Sequence, residues 1–245
     1  SYSFVAIDHR GHGRGLRSAA KFRLEDAADD AAALCATLGI PQVIAIGYSM
    51  GGPISLHLTR RHPDLVMGLV LQATALEWRA SWGERARWKA LSLMGPVLRS
   101  WAYPRWLHFA IARLLGGHEL APYVPWLEAE TRRGDALAIV QAGRALSAYD
   151  ARPWAHSLGK PAGALITTAD HLVVPRKQRE LAHALRAEVM EVAGDHLVPW
   201  ERPAAWRDAT LALVAHVVAA AQQPTSDVLG APHLEVVEAI PEAFD

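Results

Sequence analysis

The sequence has 245 residues, of which 51% are apolar and 20% charged, a balance typical of a globular protein with one sizeable core. Basic and acidic residues number 25 each, so no net field favours nucleic acid or an anionic membrane as a partner. No run of about 18 apolar residues appears, so we expect no stable membrane insertion. The single cysteine, Cys35, excludes an internal disulfide, and its helical setting predicts a buried apolar role.

The first predicted element is a buried parallel strand over residues 2–8, where apolar residues alternate weakly up to a glycine-rich turn. An alanine-rich helix follows over residues 24–38 and ends at Gly39. Further along the chain, strands are predicted over residues 42–46, 65–73, 162–169 and 188–192, and helices over residues 49–61, 177–185 and 204–221. This alternation predicts an α/β fold with a mostly parallel sheet, flanking helices and right-handed crossovers.

The alternation stops between residues 76 and 155, where Gly and Pro interrupt short helical patterns. Seven of the nine tryptophans lie in this segment, namely Trp78, Trp82, Trp88, Trp101, Trp106, Trp126 and Trp154. They either pack a small core or line an apolar pocket beneath a lid. Residues 222–245 contain Pro and Gly breaks and no clear period, which predicts a flexible or loosely docked tail.

The most informative segment is residues 43–52, with the sequence VIAIGYSMGG. It reads as a buried strand that runs through G-x-S-x-G into a helix, a turn that holds its serine, Ser49, in a strained conformation above the sheet. Gly47 and Gly51 are predicted to be glycine because a side chain at either would collide with the closely packed strand and helix.

This segment resembles the nucleophile elbow of the α/β-hydrolase superfamily, and three further segments resemble that family in the same chain order. They are VAIDHRGHG at residues 5–13, LITTADHLVVP at residues 165–175, and VAGDH at residues 192–196, followed by Glu201-Arg202-Pro203. The resemblance covers residues 4–220. It implies a hydrolase core formed by residues 1–75 and 156–221, and a helical cap formed by residues 76–155.

A serine hydroxyl is a poor nucleophile at neutral pH, so it needs a base within reach and a third group that orients the base. The resemblance implies Ser49 as nucleophile, His196 as base and Asp170 as the orienting acid, in the order Ser, Asp, His typical of this fold. No cofactor or metal is implied. His57 lies on the predicted helix over 49–61 and His62 directly after it, five residues apart, which is a poor spacing for metal ligation.

The tetrapeptide Asp-His-Leu-Val occurs twice, which leaves His171 open as an alternative base and Asp195 as an alternative acid. His171 is expected to be a loop or rim residue. Asp195 is adjacent to His196, and neighbouring side chains diverge, so it is expected to be a poor orienter of the imidazole. Glu77, soon after the strand at 65–73, is an alternative acid, since some family members place theirs there.

An oxyanion formed during acyl transfer needs two N–H donors. The backbone N–H of Met50, at the start of the elbow helix, is the expected first donor. The resemblance places the second donor in a loop upstream of Ser1, together with N-terminal strands that the chain lacks, so we expect an N-terminally truncated fold with impaired activity. An upstream signal peptide would precede Ser1, so the sequence leaves the compartment open, with the cytoplasm as the default.

These residues predict a serine hydrolase that cleaves a carboxylic ester, thioester or lactone through an acyl-enzyme. Carbon–carbon bond hydrolysis and acyl transfer by the same three residues are enzymatic alternatives, and a non-catalytic binding domain of hydrolase fold is the alternative from another class. The expected ligand is a small molecule with an apolar acyl or aromatic group. The sequence does not indicate an oligomeric state.

Overall fold

A four-stranded sheet forms the centre of the structure, a computed structural model that describes residues 2–79, 83 and 124–223. The strands are β1 (Val43–Tyr48), β2 (Val66–Gln72), β3 (Ala162–Thr167) and β4 (Glu188–Val192), and they lie side by side in chain order. Each neighbouring pair is parallel. The predicted parallel sheet is therefore confirmed, and the carboxyl ends of all four strands lie at one edge.

Helices follow the strands in the alternating order that the sequence predicts. They are α1 (Leu24–Thr37), α2 (Gly51–Arg61), α3 (Val124–Arg133), α4 (Ala136–Ala148), α5 (Pro175–Leu185), α6 (Val198–Glu201) and α7 (Pro203–Gln222), with a short 3₁₀ helix at Ala155–Ser157. A capping side chain and a glycine set the ends of two of these helices. Asp135 caps α4 by accepting hydrogen bonds from the N–H groups of Leu137 and Ala138, and Gly39 ends α1 with a φ of 67°.

The core has two halves, one on each face of the sheet. Successive side chains of a strand point to opposite faces, so Leu69 and Leu71 of β2 lie in one apolar cluster and Val70 in the other. Helices α1, α2 and α5 cover the first face, and α7 covers the second through Leu213, Val214 and Val217. Because β2 is buried on both faces, its sequence is almost continuously apolar.

Helix α7 also has the length and the apolar composition of a membrane-spanning helix, the one such helix among the described residues. A helix that packs on a sheet in a globular domain meets the same test, and α7 contacts β1, β2, β3 and β4. Leu213, Val214 and Val217 are the buried residues of α7, and 17% of its apolar window is buried.

The predicted strand over residues 2–8 is wrong. This segment has no regular secondary structure, and Tyr2, Phe4 and Val5 are exposed by 52%, 88% and 51%. Strand β1 lies at an edge of the sheet, and Ile46 on it is 49% exposed. Within the described part of the chain β1 pairs only with β2, and residues 2–8 do not join the open side of β1.

Parts of the predicted cap and tail lie outside the described residues. These are residues 80–82 and 84–123, which include Trp82, Trp88, Trp101 and Trp106, and residues 224–245. Within the described part of 76–155, helices α3 and α4 form, and Glu77 and Asp150 make an isolated antiparallel bridge. The division into core, cap and tail stays a prediction.

Candidate functional site

Ser49 lies between the carboxyl end of β1 and the start of α2. Its φ of 51° falls in the left-handed region, which non-glycine residues rarely occupy. Two backbone hydrogen bonds hold this conformation: the Ser49 N–H donates to the Gln72 carbonyl at 2.9 Å, and the Gly52 N–H donates to the Ser49 carbonyl at 3.0 Å. The surrounding elements therefore fix a strained turn, as expected of an elbow.

Close packing at this turn requires glycine at two positions, and only one of them was predicted. A Cβ on Gly47 would lie 2.4 Å from the Gly51 carbonyl oxygen, as the sequence led us to expect. A Cβ on Gly51 would have no atom within 4 Å, so the predicted collision there is wrong. The second requirement is at Gly52 instead, where a Cβ would lie 2.3 Å from Oγ1 of Thr74.

Asp170 follows β3 and is 3% exposed, yet its carboxylate is fully satisfied by hydrogen bonds. Oδ1 accepts from the backbone N–H groups of Leu172 and Val173, at 2.8 and 2.7 Å. Oδ2 accepts from the Thr167 hydroxyl at 2.8 Å and from Nε2 of Gln178 at 3.2 Å. Such donors compensate the cost of burying the charge and hold the carboxylate in one orientation.

His196, in the loop after β4, joins Asp170 to Ser49. Its Nδ1 lies 2.8 Å from Asp170 Oδ2, and its Nε2 lies 2.9 Å from Ser49 Oγ. With Nδ1–H donating to the carboxylate, Nε2 is free to accept the serine proton. The structure thus brings together the three residues that the sequence proposed, and the arrangement can move a proton from Ser49 to the imidazole while the carboxylate stabilises the resulting cation.

Tyr48 packs beside the imidazole, with its ring centroid 5.4 Å from that of His196. Burial, and then the negative charges of Asp170, Glu201 and Asp195, raise the pKa of the Tyr48 phenol well above its ordinary value. The hydroxyl is therefore neutral at physiological pH. The ring provides an apolar wall on one side of the imidazole.

Met50 stands at the N-terminal end of α2, directly after Ser49. Backbone N–H groups in the first turn of a helix have no carbonyl partner within the helix, and the helix dipole adds positive potential there. The Met50 N–H is accordingly placed where an anion next to Ser49 Oγ could be stabilised.

The alternative acid, Glu77, makes other contacts. Its Oε1 lies 2.7 Å from Lys177 Nζ in a buried ion pair, and its Oε2 accepts from the Arg79 N–H at 2.8 Å. Asp170, and not Glu77, contacts the imidazole of His196.

The second Asp-His pair is also engaged, but at the surface. The His171 side chain is 85% exposed, in agreement with a position at the rim, and its Nδ1 lies 3.0 Å from Asp195 Oδ2. Asp195 does not touch the His196 ring. Its Oδ1 accepts instead from the backbone N–H of His196 at 2.6 Å.

Sequence reasoning missed Thr167, Gln178 and Asp195, whose side chains hold Asp170 or the His196 backbone. A polar residue at the end of a buried strand is a weak signal for Thr167. The repeated Asp-His-Leu-Val tetrapeptide singled out Asp195 but not its contact with the His196 backbone. No sequence signal indicates Gln178, because its contacts depend on how a loop and a helix pack.

Other histidines serve structural contacts. His57 packs against the rings of Tyr149 and Trp154, and burial lowers its pKa. His62 lies 2.8 Å from Asp29. Over the part of the chain that the structure describes, no group of three or more His, Cys, Asp or Glu side chains is arranged to hold a metal ion.

A cavity of about 430 Å³ lies between the segment before α1, helix α2 and helix α4. Phe22, His57, Gln141 and Tyr149 are among its lining residues, whereas Ser49, Asp170 and His196 are not. This cavity therefore does not define a substrate pocket at the serine.

Several curated relatives match parts of the chain, among them a lipase and a hydrolase. The monoacylglycerol lipase of Mycolicibacterium smegmatis is 31% identical over 212 residues, covering 79% of this chain and 60% of the lipase. The 2-(acetamidomethylene)succinate hydrolase of Mesorhizobium japonicum is 35% identical over 69 residues, covering 28% of this chain and 25% of that enzyme. The chain thus spans between a quarter and three fifths of the length of these relatives.

Structural comparison gives the same fold. The crystal structure of an enol-lactonase from Burkholderia xenovorans superposes with a TM-score of 0.71 at 23% identity, covering 84% of this chain and 78% of the lactonase. The family model of the alpha/beta hydrolase fold matches residues 1–203. Sequence and structure agree, and the chain belongs to the alpha/beta hydrolase fold family.

Proposed function

We propose that this protein is a serine hydrolase that cleaves a carboxylic ester, or a related thioester or lactone, through an acyl-enzyme on Ser49. The observation that carries the proposal is the unbroken hydrogen-bonded chain from Ser49 Oγ through the His196 ring to Asp170 Oδ2, with contacts of 2.9 and 2.8 Å. A nucleophile, a base and an orienting group within hydrogen-bond reach are what acyl transfer to a serine requires.

In the first half of the proposed reaction, Ser49 Oγ attacks the acyl carbon while His196 Nε2 takes the hydroxyl proton. The Met50 N–H donates to the oxyanion of the tetrahedral intermediate. The intermediate collapses, the bond to the leaving group breaks, and the imidazolium returns its proton to the departing alcohol or thiol. The acyl group is then bonded to Ser49.

In the second half, water enters where the leaving group stood. His196 Nε2 removes a proton from water as its oxygen attacks the acyl carbon, and the Ser49 oxygen leaves with that proton. Asp170 stabilises the imidazolium at both stages without itself taking the proton. The products are the free acid and the regenerated serine.

The named relatives support this reaction class. A monoacylglycerol lipase and an enol-lactonase both carry names for the hydrolysis of an ester bond. We therefore propose an ester or lactone before a carbon–carbon bond or an acyl acceptor as substrate. An apolar acyl or aromatic small molecule stays the expected ligand.

A fluorophosphonate probe tests the proposal on the whole chain, because it reacts only with a serine whose hydroxyl is activated. Labelling at Ser49, located by peptide mass spectrometry, is the expected result, and Ser49→Ala should abolish it. Ser55→Ala is the matched control, since Ser55 lies on the same helix and is buried. A wild-type protein that folds but is not labelled would favour a non-catalytic binding domain.

A further inference from the structure

Two loops that carry the proposed catalytic residues lie side by side at the edge of the sheet. The loop after β3 holds Asp170 and the loop after β4 holds His196. Backbone hydrogen bonds tie their first residues together, from the Thr168 N–H to the Val192 carbonyl at 3.1 Å and from the Ala169 N–H to the Gly194 carbonyl at 3.0 Å. No backbone bond between the two loops is seen beyond this point in the described residues.

Asp195 continues the connection with its side chain. Its Oδ1 accepts from the N–H of His171 at 2.9 Å and from the N–H of His196 at 2.6 Å, so one oxygen joins both loops. Its Oδ2 lies 3.0 Å from Nδ1 of His171. The repeated Asp-His dipeptide therefore forms two crossed pairs, Asp170 with His196 in the interior and Asp195 with His171 at the surface.

The charge state of Asp195 suits this connection. Burial alone would raise its pKa, but hydrogen bonds from the His171 and His196 N–H groups and from the His171 ring outweigh burial and lower the pKa below its ordinary value. The side chain is therefore a carboxylate at neutral pH. Hydrogen bonds from neutral donors to a charged acceptor are stronger than those to a neutral one.

The backbone N–H of His196 is two single bonds away from the side chain that must reach both Asp170 and Ser49. A shift of this backbone by a fraction of an ångström would change both imidazole contacts together. We propose that Asp195 is a positioning residue, which fixes the His196 backbone against the Asp170 loop and so keeps Nε2 within reach of Ser49. The consequence for turnover rests on the proposed function, whereas the consequence for the Asp170–His196 contact does not.

Two measurements on the whole chain separate these consequences. The first is the rate constant for fluorophosphonate labelling of Ser49. The second is the downfield proton resonance of the His196 Nδ1–H in its hydrogen bond with Asp170, which needs neither substrate nor a reactive serine. His196→Gln identifies the resonance.

Asp195→Ala is expected to lower the labelling rate by about 10² and to broaden or remove the downfield resonance, because small misplacements of reacting groups cost that much. Asp195→Asn keeps an acceptor oxygen for both N–H groups and should restore most of the rate and the resonance. His171→Ala leaves the bond to the His196 N–H in place, so we expect its labelling rate to stay within about threefold of wild type, well short of such a loss.

Glu191→Ala is the matched control, since it removes a carboxylate of β4 from an exposed ion pair with Arg179 of α5 and should change neither readout. If Asp195→Ala does not fold, Asp195→Ser takes its place, because a hydroxyl at that position is too short to join both loops. Wild-type labelling and resonance in either variant would overturn the proposal, as would an Asn variant impaired as severely as Ala. If the wild type is not labelled at all, the proposed function fails, and the resonance alone decides the positioning role.

Discussion

At the scale of single residues, the buried carboxylate of Asp170 is held in one orientation by hydrogen bonds. Five hydrogen bonds reach its two oxygens, and only one of them comes from His196. The other four come from Thr167, Gln178 and two backbone N–H groups, and they hold the carboxylate independently of the imidazole. The direction in which Oδ2 faces is therefore set by Thr167 at the end of β3, by the loop after β3 and by Gln178 of α5.

Asp170→Asn should lower kcat by about 10⁴, because the amide N–H₂ would face Nδ1 and favour the tautomer whose Nε2 carries a proton. The measurement is the steady-state kcat for hydrolysis of an activated ester, compared between wild type and variant at equal concentrations of folded protein. Asp150→Asn is the control, since that carboxylate pairs with Arg152 at the surface. A loss of less than tenfold in the Asp170 variant would contradict the assigned role.

At the scale of helices and strands, the spacing of apolar residues and the positions of Gly and Pro predicted most of the elements of the core. Each strand and helix that was predicted for the core, other than the first strand, begins and ends within two residues of its predicted bounds, and β4 matches them at both ends. Helix α6 was not predicted. The strand over residues 2–8 failed because alternation reports which side chains prefer burial, but does not supply a hydrogen-bonding neighbour.

Chain order also predicted part of the site, whereas side-chain contacts between separate segments were not predicted. Ser49, Asp170 and His196 follow three parallel strands, so the chain order already placed them at one edge of the sheet. The contacts of Thr167, Gln178 and Asp195 became visible only in the structure, because they depend on side-chain packing between separate segments. The repeated Asp-His pair had singled out Asp195 only as a poor orienter of the imidazole. The mistaken collision at Gly51 arose in the same way, since the identity of the neighbouring atoms cannot be read from a motif.

The elbow offers a matched pair of glycine substitutions. Gly52→Ala should lower the free energy of unfolding by about 1–3 kcal/mol, because the new methyl group would overlap Thr74. Gly51→Ala places its methyl in open space in the first turn of α2 and should be neutral or stabilising by up to about 1 kcal/mol. Urea denaturation measures both. Equal destabilisation by the two changes would contradict the packing described at this turn.

Helices α1 and α2 are joined at one end by Asp29, which lies 2.7 Å from Arg61 and 2.8 Å from His62. The hydrogen bond from Arg61 is the main reason why the pKa of Asp29 is lowered to about 2. A carboxylate with a lowered pKa stabilises the folded state above its unfolded pKa, and this contribution is lost as the pH falls through about 2.

Asp29→Asn should therefore destabilise the protein near neutral pH, and only by about 0.2–1 kcal/mol, because the pair is largely exposed. The difference from wild type should shrink as the pH falls from about 4 towards 2. Urea midpoints of both proteins, measured over this range, provide the test. A difference that grows on acidification would contradict the sign of the pKa shift.

At the scale of the whole molecule, stability depends on covering both faces of the sheet. Helix α7 is the long element on the second face, where it packs over β2, β3 and β4. The side chains of Leu213 and Val217 are fully buried there, and atoms of Leu213 would lie 3.0 Å from a Cβ on Gly163, so the helix packs directly on the backbone of β3. The loops that carry Asp170 and His196 leave the sheet from β3 and β4.

Two leucines of α7, two residues apart, differ in burial and allow the packing of the helix to be tested. Leu213 has no exposed surface, whereas Leu211 on the other side of the helix is 50% exposed. Leu213→Ala should lower the free energy of unfolding by about 2–5 kcal/mol, through lost burial and the cavity that remains over β3. Leu211→Ala changes the helix propensity by the same amount but opens no cavity. Its effect on the free energy of unfolding should therefore stay within about 0.5 kcal/mol. Urea denaturation followed by tryptophan fluorescence measures both, and a Leu211 variant as unstable as the Leu213 variant would show that α7 does not pack on the sheet by the side described.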